Sequence, residues 1–218
     1  MAGIENKAKQ LEKLGTDAIM IGGSTNINRK NLDKMIETIK KNSSKPVILF
    51  PSDISGISRH ADAIFFMSLL NSKDPYFISG AQSKGSSIVK KLGIEPISMA
   101  YLIVEPGMKA GKVGKADLIK RNDPERAVEY AVSAQMMGFS LIYLEAGSGA
   151  GNPIPAEMIS AVKKNINIPL LVGGGIRSVD QAKTAAKAGA DIVVTGTITE
   201  ENFDRVGEII KVVKGVKK

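Results

Sequence analysis

Apolar residues in this chain recur with two alternating periods. Ile4, Ala8, Leu11 and Leu14 fall at helical spacing and Gly15 supplies a stop, so Ile4 to Leu14 is predicted to be a helix. Leu32, Met35, Ile36 and Ile39 repeat the pattern within a helix predicted over Asn31 to Lys41. Further helices are predicted over about Tyr76 to Leu92, stopped by Gly93, over Pro124 to Met137 with Asp123 as N-cap and Gly138 at the end, from Pro155 to about Lys164, over about Val179 to Ala188, and in the tail from Asn202 to Val213, beyond which Lys214 to Lys218 should fray. Between them lie short continuous apolar runs: Ala18 to Ile21, Val47 to Phe50, Ala63 to Met67, Ile97 to Val104, Leu141 to Glu145, Pro169 to Val172 and Ile192 to Thr195. Runs that do not alternate suit parallel strands covered on both faces.

Strand and helix in strict alternation predict an α/β fold, a (β/α)8 barrel in one domain over residues 1–218. Two departures are expected. Pro51 to Ala61 is rich in Ser and Gly without helical periodicity, so one barrel helix near the third strand should be missing or vestigial. The chain opens with a helix and offers seven strands, so a barrel of eight would lack its first. Glu105 to Asn122 carries three glycines and five basic residues and reads as an irregular loop acting as a lid.

Two turns set the chemistry. Gly173-Gly174-Gly175 and Gly196-Thr197 follow the last two strands, where unshielded backbone N–H groups can approach an anion. One such turn is simply tight; two in series, after consecutive strands late in the alternation, describe the phosphate cup of a barrel. Tyr143-Leu144-Glu145-Ala146-Gly147-Ser148-Gly149 ends the fifth run. Alternation sets Tyr143 and Glu145 on one side of the strand and Leu144 on the other. Glu145 at the C-terminal end of a strand can take a proton from a substrate hydroxyl, or simply pair with a lysine. Tyr143 can serve the same site or pack in the core.

Composition narrows the partners. The 218 residues carry a formal net charge of +8, which favours anionic ligands or an anionic membrane face. Aromatics make up 5% of the chain and there is no Trp, so nucleic acid is not the expected partner. No cysteine is present and no apolar run approaches the length of a membrane span, so a cytoplasmic, soluble protein is expected.

Tyr143 to Gly149, Gly173-Gly174-Gly175-Ile176-Arg177, Thr195-Gly196-Thr197, Ile21-Gly22-Gly23-Ser24-Thr25 and Ala61 to Asn71 together resemble the geranylgeranylglyceryl phosphate synthase family, in its larger, archaeal-type branch. The likeness runs from about Leu11 onward. It implies a prenyltransferase of ether-lipid biosynthesis: the C3 hydroxyl of sn-glycerol 1-phosphate attacks C1 of geranylgeranyl diphosphate, and diphosphate leaves. It implies glycerol 1-phosphate bound by Tyr143, Leu144, Glu145, Ala146, Gly147, Ser148, Gly149, Gly174, Gly175, Gly196 and Thr197. It further implies Glu145 as general base with Tyr143 beside it, Mg2+ as cofactor with Ser24 among its ligands, a homo-oligomer, and a place near the membrane. Lys109, Lys112 and Lys115 are candidates for the diphosphate. Phe65, Phe66, Met67 and Met99 are candidate linings for the prenyl tail, each also readable as core. The family's first strand carries a magnesium-ligating aspartate and a basic residue near the substrate phosphate, neither with a counterpart here, so weak or no turnover is expected of the sequence as written. The alternatives are another phosphate-handling barrel enzyme, and a shortened, inactive form that keeps only phosphate binding.

Overall fold

The computed structural model describes residues 3–23 and 29–216. Two compact units are distinguished, one made of Met1–Phe66 with Ser79–Ile97, the other of Met67–Ile78 with Ser98–Lys218.

The first unit opens with α1 (Ile4–Leu14), ended by Gly15 at φ 87°, a left-handed conformation that costs glycine little. Then follow β1 (Ile19–Gly23), α2 (Arg29–Asn42) and β2 (Val47–Pro51). β3 (Ala63–Leu69) starts in this unit. β1 pairs with β2, and β2 with β3, both in parallel. The connection from Pro51 to Ala61 holds no α-helix. It makes a single 3-10 turn, Ile54–Gly56, with Asp53 accepting a hydrogen bond from the Ser55 amide. The helix expected from Tyr76 divides into a wide turn of π type, Tyr76–Gly80, and α3 (Ala81–Leu92), ended by Gly93 at φ 68°. The core of the unit gathers Leu32, Ile36 and Ile39 of α2 with Val47 and Leu49 of β2 and Ile57 of the connection. The α2 positions are those the helical spacing picks out.

The second unit carries β4 (Glu95–Ile103) from Ser98 onward, α4 (Met108–Val113), α5 (Pro124–Met136), β5 (Leu141–Glu145) and α6 (Ala156–Asn165). It ends with β6 (Leu170–Gly173), α7 (Val179–Lys187), β7 (Ile192–Val194), α8 (Thr197–Glu201) and α9 (Phe203–Lys214). β4 to β7 pair parallel in sequence order. Parallel strands joined consecutively through helices are the connectivity of a (β/α) barrel. Asp123 caps α5 through the Arg126 amide at 3.0 Å, with Pro124 in the first turn. α7 starts in a capping box, Ser178 with Gln181.

Two expectations are corrected. α9 runs through Lys214, one residue beyond the Val213 expected as its last. Glu105 to Asn122 is not a free lid: it contains α4 and is fastened along its length. Asn71, buried where the chain leaves β3, donates from Nδ2 to the carbonyls of Ile103 and Asp117, both at 2.8 Å, and accepts the Ile103 amide at 3.1 Å. Lys73 pairs with Asp117 at 2.9 Å, and Asp74 with Lys115 at 2.8 Å. The three glycines serve packing. A side chain at Gly114 would strike Leu69, and one at Gly107 or Gly111 would press on Leu118. Composition alone made glycine look like freedom where it marks close contact. Among the described residues no helix is long and apolar enough to cross a membrane.

Asn71 satisfies three backbone groups at once. Asn71→Ala should therefore lower the unfolding free energy by about 2–3 kcal/mol, read from denaturant titration.

Candidate active site

β5 ends in a carboxylate that has lost its water. Glu145 retains 7% exposure. Its Oε1 accepts the Gly147 N–H at 2.6 Å, and the Tyr143 hydroxyl hydrogen-bonds the same carboxylate. Burial pushes its pKa above the ordinary 4.5, while these two donors pull the other way. Tyr143 is itself buried, and burial followed by the negative charge of Glu145 raises its phenol well above its usual pKa. The phenol therefore keeps its proton and remains a donor.

The turn after β6 closes on this group. Gly173 O accepts the Ala146 N–H at 3.1 Å. Gly174, at φ 82°, lies so close that a side chain there would collide with Glu145 Oε1, and would come within 2.6 Å of the Gly147 nitrogen and 2.8 Å of the Ala146 nitrogen. A side chain on Gly173 would run into the Tyr143 hydroxyl. Both glycines are thus required by proximity, and Gly174 by conformation as well. Gly175, at φ 73°, backs onto the Asn152 carbonyl and the Pro153 nitrogen. From the turn after β7, Thr197 Oγ1 reaches Ser148 Oγ at 3.2 Å.

Several of the residues singled out in the sequence meet, in two groups. Glu145, Tyr143, Ala146 and Gly147 meet Gly174, and Ser148 meets Thr197, whose neighbour Gly196 has open space where a side chain would start. Ser148 and Gly196 are exposed, which leaves this rim open to solvent, and Gly149 at φ 81° has room around it. Leu144 is fully buried and, by alternation, faces away from Glu145. Ser24 lies outside the described residues.

Other candidates fall elsewhere. Phe65 is buried and meets Phe50 edge-on at 6.1 Å, and Met99 has no exposure, so both are core. Phe66 packs on the first unit's core. Lys115 is engaged with Asp74.

Sequence reasoning missed two neighbours. Tyr101 of β4 sits opposite Tyr143 in register, with ring centroids 5.3 Å apart, and the charge of Glu145 adds to burial in raising its phenol pKa. Pairing β4 with β5 would have found it, but pairing is not visible along one strand. Met108, at the start of α4, covers Gly147, where a side chain would come within 2.7 Å of it.

The arrangement suits a base beside a set of backbone amides, and comparison of the whole chain with known proteins gives its family. The PcrB family model matches residues 2–215. The chain belongs to the PcrB family. A family relative, the geranylgeranylglyceryl phosphate synthase of Pyrococcus horikoshii, is 58% identical over 194 residues, covering 89% of this chain and 76% of the relative. The crystal structure of (S)-3-O-geranylgeranylglyceryl phosphate synthase from Thermoplasma acidophilum, in complex with its substrate sn-glycerol 1-phosphate, superposes with a TM-score of 0.95 at 45% identity, over 98% of this chain and 87% of that one. Wild-type GGGPS from Thermoplasma volcanium gives a TM-score of 0.94 at 51% identity, over 99% and 88%. At these identities the fold expectation, a modified (β/α) barrel with a helix replaced before its Ala63 strand, holds for this member of the PcrB family.

Gly174→Ala should cost about 1–3 kcal/mol of stability from the left-handed backbone alone. It should also push the Glu145 carboxylate off the Gly147 amide, which a crystal structure of the variant would reveal.

Proposed function

We propose that the chain transfers the geranylgeranyl group from its diphosphate to the C3 hydroxyl of sn-glycerol 1-phosphate, making geranylgeranylglyceryl phosphate and releasing diphosphate. The carrying observation is the buried Glu145 carboxylate, held by Gly147 and Tyr143 against Gly174. The family relatives carry the name of this activity, and the Thermoplasma acidophilum relative holds the glycerol phosphate.

On this reading the phosphate dianion lies across the amides of Gly174, Gly175, Gly196 and Thr197, with Ser148 and Thr197 offering hydroxyls. The glycerol then extends over Ala146, Gly147 and Gly149 toward Tyr143 and Glu145, with Leu144 carrying the backbone between them. Backbone N–H groups bind a dianion without a competing countercharge. Glu145 accepts the C3 hydroxyl proton as that oxygen bonds to C1 of the prenyl chain. The C1–O bond to diphosphate breaks and its electron pair leaves with diphosphate. A carboxylate whose pKa is raised by burial is a stronger base than one in water, and Tyr143, which stays protonated, keeps it aimed.

Magnesium belongs to the proposal as charge compensation for the departing diphosphate. Among the described residues no group of three or more His, Cys, Asp or Glu gathers that could hold a metal ion, so those residues do not fit a resident cation by themselves. The steps above rest on the protein's own groups. The absence of cysteine and the net charge of +8 support work in the cytoplasm beside an anionic membrane face, where a C20 diphosphate partitions. A homo-oligomer is part of the same reading.

Incubation with labelled glycerol 1-phosphate, geranylgeranyl diphosphate and Mg2+ should give a lipid-soluble labelled product, and leaving out the Mg2+ should suppress it; phosphate binding without product would refute the proposal. Glu145→Gln should reduce kcat/KM by about 100- to 10,000-fold.

The base acts deprotonated, so the acid limb of kcat/KM should have its midpoint above 4.5, the ordinary value, and Glu145→Gln should abolish that limb. Stability runs the opposite way. A raised folded-state pKa means that the contribution of Glu145 is present below its unfolded pKa and lost as pH rises through the folded one. At neutral pH Glu145→Gln should accordingly unfold at no lower temperature than the parent.

A further inference from the structure

The wall behind the phosphate turn is not self-supporting. Asn152-Pro153-Ile154-Pro155 contains two prolines, which have no N–H to donate, so the segment has carbonyls to satisfy and few donors of its own. Ile154 is buried and Pro155 is the N-cap of α6, so the segment is anchored on its far side. On its near side it presses on Gly175. The Asn152 carbonyl carbon and oxygen lie 2.8 Å, and the Pro153 nitrogen 2.9 Å, from where a Gly175 side chain would begin.

One side chain reaches this wall from another connection. The half-buried Arg121 guanidinium donates from Nη2 to the Pro153 carbonyl at 2.7 Å. Its Nη1 reaches the Asn152 carbonyl at 3.5 Å and the Glu105 carbonyl at 3.4 Å. The Arg121 amide donates to Glu105 Oε2 at 3.3 Å, which ties the residue back onto its own connection. A planar fork of fixed donors suits several carbonyls in one plane, and a lysine ammonium cannot copy it.

We propose that Arg121 is a positioning residue for glycerol phosphate: it holds the Asn152-Pro153 wall against Gly175 and thereby fixes the direction of the Gly175 amide. This rests on the transferase reading given above. Freed of Arg121, the wall can recede and the Gly175 turn can relax into the space, so an anion held by that amide is lost first. The Glu145 carboxylate leans on Gly147, Tyr143 and Gly174 and is not touched by the change, so the proton-transfer geometry survives.

The test compares the full chain with Arg121→Ala and Arg121→Lys. Both KM values and kcat would be measured, together with calorimetric binding of sn-glycerol 1-phosphate alone and the unfolding temperature. Arg121→Ala should raise the glycerol phosphate KM and weaken its binding by about tenfold, with kcat within about threefold and the prenyl diphosphate KM unchanged. Arg121→Lys should recover part of this, to about threefold above the parent. A parental glycerol phosphate KM in Arg121→Ala would overturn the proposal, as would an equal rise in both KM values or a fall in kcat alone. If Arg121→Ala does not fold, Arg121→Lys decides: a raised glycerol phosphate KM beside an unchanged prenyl KM supports the proposal, and a parental value overturns it. A parent chain that neither binds glycerol phosphate nor turns over would instead refute the transferase reading itself.

Discussion

A carboxylate that gives up its water on folding must find donors in the protein or take back its proton. Glu145 finds donors. The Gly147 amide and the Tyr143 hydroxyl hold it, and burial still leaves its pKa above that of a solvated acid. Every nearby constraint follows from keeping that group dry and aimed. Gly174 cannot carry a side chain because the carboxylate occupies the place. Gly173 cannot because the phenol does. Gly147 adopts φ 100° so that its N–H turns back two residues onto Oε1, and Met108 covers it from outside. The glycines of this site are less a flexible loop than the complement of two buried side chains.

Around the carboxylate, the second unit works as a frame of connections more than of strands. Asn71 fastens the exit of β3 to the end of β4 and to Asp117. The β4–α5 connection covers Gly147 and, through Arg121, braces the segment behind Gly175. Barrel enzymes place their chemistry on such connections, and connections need outside support because they cannot satisfy their own backbone. Here the support comes from neighbouring connections in the form of one buried amide, two ion pairs and one guanidinium.

What could be read along the chain was whatever has a local cause. Helical spacing located α1 and α2, glycines at positive φ ended α1 and α3, and Asp123 before Pro124 marked the start of α5. The missing helix after β2 was legible because Pro51 to Ala61 has no periodic apolar face. α4 was not legible: six residues give too little period, and glycines at 107, 111 and 114 look like freedom until Leu118 and Leu69 are seen against them. Phe65 and Met99 could be read as core or as prenyl lining for a similar reason, since an apolar side chain does not say which way it is covered.

The sequence by itself determined the alternation of strands and helices, the two glycine turns, and the acid at the end of β5, because each depends on residues within a few positions of one another. Family likeness, carried by the same short runs, pointed to the transferase. Only the tertiary structure decided that Gly174 lies against Glu145, that Ser148 meets Thr197, that Tyr101 stands beside Tyr143, and that Arg121 serves a wall about thirty positions away. Those contacts arise from strand register and from connections crossing one another. No residue encodes them alone, because the free energy that fixes them belongs to pairs brought together by folding.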